Sequence, residues 1–139
     1  MKNIVWHIVA LTLCLGSSLN AENISPDSKK FVGVWIGEYI HQDRSRRDAW
    51  TQTRKPNGTF KLVHETYHYK VLSSTEVNEG TWWVEKEYFY EKQNGVHDRP
   101  DKYLYEFIGE NKIKFTEITT DDKTSEDIEG YSFIDTRAD

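Results

Sequence analysis

The residues best able to do chemistry in this chain are His64-Glu65-Thr66-Tyr67-His68, which fit the zinc-peptidase spacing His-Glu-x-x-His. That chemistry needs a helix. Residues four apart then share one face, both imidazoles reach one zinc, and the glutamate activates the metal's water. The flanking residues point elsewhere: Thr59-Phe60-Lys61-Leu62-Val63 precedes the motif and Tyr69-Lys70-Val71 follows it, all after an Asn57-Gly58 turn. This is strand composition. On a strand, His64 and His68 share a face but stand about 13 Å apart, too far to hold one metal. A zinc-dependent hydrolase is therefore the remote alternative, and no metal or other cofactor is expected. As strand residues, His64 and His68 side with Phe60, Leu62 and Thr66, opposite Val63, Glu65, Tyr67 and Tyr69. Turned inward, the two imidazoles can hydrogen-bond a ligand head group. Exposed or otherwise satisfied polar residues are the simpler expectation.

Arg44-Ser45-Arg46-Arg47, with Arg54-Lys55 further on, forms a basic cluster able to attract an anion. It equally offsets Asp43, Asp48 and the acidic residues between Asp121 and Asp127, so a solvated loop is expected. That acidic run lacks the glycine and alternating ligands of a calcium loop. Aromatic side chains are the other resource. Trp50, Phe60 and Trp82, together with Tyr103, Tyr105 and Phe107, are candidates to line a cavity beside His64 and His68. Phe115, Tyr131 and Phe133 complete that set. Trp82-Trp83 sends one indole to each face of its strand. No Ser-His-Asp or paired-carboxylate spacing favours particular catalytic residues.

Strands must position these side chains. Residues 1–21 read as a cleaved export signal: Lys2, an apolar run from Ile4 to Leu15, then small and polar residues to Ala21, with cleavage after Ser18 as the alternative. Cys14 is an ordinary apolar residue of that signal, and the remaining 22–139 hold no cysteine. The mature chain suits one domain with a modest core. Its net charge, −5 for the whole chain, argues against nucleic-acid binding, and no second apolar stretch approaches a membrane span. Aromatics make up 14% of the chain while Leu, Ile and Val are sparse, so the core must be largely Trp, Tyr and Phe.

Ser25-Pro26 marks a short helix start. Strands are predicted at 31–40, 48–55, 59–69, 77–84, 87–93, 102–109, 112–119 and 128–136. On the first, Phe31, Gly33, Trp35, Gly37 and Tyr39 share one face. Short connections make the sheet an antiparallel meander, and eight such strands hide their edges best by closing.

A short helix leading into Gly33-x-Trp35, eight meandering strands and Arg137 near the end together resemble the lipocalin-like calycin group, in particular its small exported bacterial members. The likeness spans Ile24 to Arg137. It implies that Gly33 and Trp35 close the barrel floor and that Arg137 packs across the indole, a favourable place for a cation. The expected architecture is all-β, a lipocalin-like barrel or half-barrel. The expected protein is periplasmic or secreted, noncatalytic, and a binder of a small apolar or amphipathic molecule. A structural or protein-interaction module with a filled barrel core is the alternative.

Overall fold

The computed structural model describes residues 27–96, 98–120 and 127–138. The expected signal, the Ser25-Pro26 helix start and residues 121–126 of the acidic run lie outside the described residues. A helix of one turn, α1 (Ser28–Phe31), leads into eight strands. These are β1 (Gly33–Ile40), β2 (Arg46–Arg54), β3 (Thr59–His68), β4 (Val71–Glu85), β5 (Tyr88–Gln93), β6 (Asp101–Phe107), β7 (Lys112–Thr120) and β8 (Asp127–Arg137). Each strand is antiparallel to the next, and β8 returns to β1 through Trp35–Arg137 and Ile36–Thr136, so the barrel is closed. Closure through this short seam reduces the unpaired edge that could recruit another strand. Among the described residues, no helix is long and apolar enough to cross a membrane.

Two elements differ from the sequence expectation. Phe31 does not begin β1; it ends α1, because Gly33, with φ 133°, lets the chain swing from the helix into the strand. β4 begins at Val71 instead of Val77. Tyr69 and Lys70, with φ 48° and 70°, make the two-residue turn, which has neither the Asn nor the Gly that normally signals one. The register of β4 slips past Ser73, between the Thr66–Ser74 and Tyr67–Leu72 pairs.

Phe31 plugs one end of the barrel, with its ring centroid 4.9 Å from that of Tyr105 and 5.1 Å from those of Phe89 and Phe107. Trp35 lies beneath this plug, fully buried, and its Nε1 donates to the Phe31 carbonyl at 2.8 Å. The Arg137 guanidinium sits 4.3 Å from the indole ring. It also donates to the Val32 and Lys30 carbonyls at 2.9 and 2.8 Å, so the last strand straps the helix across the floor. Trp82, Phe60, Ile113 and Phe115 fill the space around the plug. Burying such rings is what stabilises a core this poor in aliphatic residues.

Candidate ligand-binding site

Above this packed floor the barrel is hollow. A cavity of about 530 Å³ runs from Arg54 and Phe115 up to Tyr39 and His41. Its most informative wall is β2. Strand alternation turns Asp48, Trp50, Gln52 and Arg54 inward, while Ala49, Thr51 and Thr53 face the other way. The interior stripe of β2 is thus mostly polar. Gly37 on β1 makes room for one of these residues, because a Cβ there would collide with the Trp50 indole.

Three side chains on this wall reach partners on distant strands. Arg54 Nη2 donates to Asp135 Oδ2 at 2.7 Å, with side chains 2% and 0% exposed. Trp50 Nε1 donates to the other Asp135 oxygen at 2.8 Å. Gln52 Nε2 donates to Glu91 at 2.9 Å. Arg54 remains short of acceptors: its buried Nε and Nη1 have none. The rings of Phe89, Phe115 and Trp35 lie 4.9, 5.2 and 5.8 Å from its Cζ and attract the cation without offering a lone pair. A buried donor left unmatched costs about 1–3 kcal/mol.

Nearer the mouth, Asp48 accepts from His41 Nε2 at 2.9 Å, from Thr66 at 3.0 Å, and from Arg46 Nε and Nη2 at 3.1 and 3.0 Å. Burial opposes ionisation of Asp48, but these bonds together outweigh it and hold the carboxyl below the usual range. Glu91 and Glu117 behave in the opposite sense. Burial raises both, and Asp101 raises each further, while Arg54 and Gln52 only partly offset the effect at Glu91. Burial also pushes the Tyr103 phenol far up, reinforced by Glu91 and Asp101, so that it stays neutral. Tyr131 is hydrogen-bonded to Tyr103, and burial raises its phenol too.

Of the residues that the sequence marked for the cavity, Trp50, His64, Tyr103, Phe115, Tyr131 and Phe133 line it. The others sit elsewhere. Phe60 and Trp82 are buried in the floor cluster, and Tyr105 and Phe107 pack against it around Phe31. These four residues lie beyond the level at which the plug fills the barrel. His68 ends β3 and is exposed, whereas His64 points inward with Nε2 3.8 Å from Asp48 Oδ1. The His-Glu-x-x-His segment is strand throughout, without the helix its zinc geometry requires, and among the described residues no cluster fit to hold a metal is present. Trp83 turns outward and stacks on Tyr90 at 5.3 Å. The basic cluster is not the solvated loop that was expected: Arg46, Arg47 and Arg54 all lie on β2, where Arg54 turns inward and is buried, while Arg47 reaches outward to Glu38 at 3.2 Å and lies 4.1 Å from the Tyr67 ring.

Sequence reasoning missed the acidic lining, Glu91, Asp101, Glu117 and Asp135, and expected Arg54 in a solvated loop instead of the interior. A usable signal existed on β2, whose two alternating faces both lack an apolar stripe. That pattern on a strand bounded by good turns indicates a polar interior. No protein-family model matches the chain, and no curated protein matches it.

Proposed function

We propose that this chain is an exported, noncatalytic, lipocalin-like carrier that shelters one small amphipathic molecule in its barrel. The observation that carries the reading is the cavity of about 530 Å³ above a fully packed floor. Ligand sites for small molecules begin at about 300 Å³ and combine aromatic walls with a few placed polar groups. Here Trp50, Phe89, Phe115 and Phe133 supply the apolar wall, and Gln52, Glu91 and the tyrosines supply the polar groups. A wholly apolar guest fits poorly, since it would strip water from carboxylates and offer nothing in return. The meandering closed barrel, the Phe31 plug, and Arg137 over Trp35 support the lipocalin-like assignment. The residues before 22 support export.

Fluorescence titration with N-phenyl-1-naphthylamine, which is uncharged at pH 7, tests the reading. Saturable binding of one probe per barrel is expected. It should be abolished by Leu62→Trp, which fills the cavity from its wall, and not by Thr51→Trp on the outer face. Binding that survives Leu62→Trp, or no binding at all, would refute a barrel-interior site.

A further inference from the structure

β4 outruns its neighbour. Its fifteen residues meet a strand of only six, and the two pair from Gly80 to Glu85. The last contact is the Asn94 amide, which donates to the Glu79 carbonyl at 2.8 Å. Residues 71–78 keep β3 on one side, paired with His68 to Leu62, and among the described residues they have no strand on the other. Backbone direction alternates along an antiparallel strand, so Thr75 and Val77 turn their N–H and C=O groups the same way as Glu79, onto the bare edge. Residues 71–77 are all exposed, including Val71 at 69% and Val77 at 56%. Proteins ordinarily blunt such an edge with lysine or proline. Residues 71–78 contain neither, and their single charge is Glu76. The bulge at Ser73 interrupts the strand near its start and leaves 74–78 regular.

A bare, unblunted edge is completed by another extended strand, which takes up its free backbone groups. We propose that a second copy of this chain supplies that strand, β4 against β4, antiparallel about a two-fold axis at Thr75. This goes beyond the carrier reading and does not depend on it. The charge pattern selects the register. With the axis at Thr75, Glu76 lies opposite Ser74 and Val77 opposite Ser73, so no like charges meet. An axis at Glu76 sets that carboxylate against itself, which disfavours the pairing. An axis at Val77 puts Thr75 opposite Glu79, whose carbonyl already accepts from Asn94. An axis at Ser74 centres the pairing beside the bulge. About the Thr75 axis, Val77 gains the second copy's Thr75 as a diagonal neighbour on the outer face. Each copy spends its own bare edge in the contact, so assembly stops at two.

Thr75→Cys tests the register, because residues 22–139 hold no cysteine of their own. Residues facing each other as a hydrogen-bonded pair stand about 5.5 Å apart at Cα, within the span of a disulfide. Under mild oxidation Thr75→Cys should become a covalent dimer, while Thr51→Cys, exposed on the outer face of β2, should stay monomeric. Sedimentation velocity on the intact protein should show a reversible dimer. Thr75→Lys sets two cations face to face and should weaken that dimer at least about tenfold. Thr75 is exposed, so both variants should keep the circular dichroism spectrum of the parent protein. A monomer at every concentration up to millimolar would overturn the proposal. So would a dimer indifferent to Thr75→Lys, or cross-linking of Thr75→Cys no faster than that of Thr51→Cys.

Discussion

The Arg54–Asp135 pair offers the sharpest test of how the barrel interior is held. Asp135→Asn keeps an oxygen for the Trp50 indole, which donates at 2.8 Å, but removes the charge facing Arg54 at 2.7 Å. Two unit charges about 4 Å apart interact by about 4 kcal/mol at an effective dielectric constant of 20. Breaking a buried pair costs about 3–5 kcal/mol, because the remaining charge stays desolvated. Glu91 also feels the charge of Arg54, so it partly compensates and places the loss near the lower end, about 3 kcal/mol. For a domain of about 118 residues, that lowers Tm by roughly 12 °C. Adding Arg54→Met removes the stranded cation together with its two unmatched donors. The double variant should therefore be less destabilised than the sum of the two single variants by about 2 kcal/mol or more. Urea unfolding, followed by tryptophan fluorescence and circular dichroism, measures all four corners of the cycle. A cost below about 1 kcal/mol for Asp135→Asn, or additive single effects, would refute the reasoning.

Three further outcomes follow from the same structure. Trp35→Ala should cost about 3–5 kcal/mol in urea unfolding, since the indole is fully buried beneath Phe31, and Arg137→Ala should cost less; the reverse order would contradict the strapped floor. Gly37→Ala should displace the Trp50 indole, costing about 1–3 kcal/mol and shifting its fluorescence, whereas an unchanged spectrum would show the space to be free. Glu117 has a folded-state pKa raised above 4.5, so its ionised form opposes folding at neutral pH, and that cost vanishes once pH falls below the unfolded value. Glu117→Gln should accordingly raise Tm at pH 7 and converge with the parent protein below about pH 4.5; a lower Tm at pH 7 would reverse the sign.

Much of this fold was legible in the chain, because turns and alternation are local. Asn57-Gly58 bounds two strands by backbone chemistry that one sequence displays. The Tyr69-Lys70 turn was not legible: its two side chains take positive φ with no glycine or asparagine to announce it, so β4 begins six residues before Val77. The Trp35–Arg137 contact came from family resemblance, as the two lie over a hundred positions apart in sequence. The site was read in part. Aromatic residues were rightly expected inside a leucine-poor barrel, but composition does not show at what height each ring sits. Phe60, Trp82, Tyr105 and Phe107 therefore went to the plugged floor, while Trp50, Tyr103 and Phe133 reached the cavity. Glu91 and Asp135 were passed over, and Arg54 was assigned to a solvated basic loop, because charges are usually placed outside. Their burial depends on partners that meet only when the barrel closes, 81 residues apart for Arg54 and Asp135.

Native mass spectrometry of the barrel, after incubation with a small-molecule extract of the cells that make it, tests the central claim most directly. The carrier account predicts one low-mass guest per chain, released on denaturation and absent from Leu62→Trp, whose cavity is filled. The bare polypeptide mass in both proteins, or the same adducts on both, would contradict it.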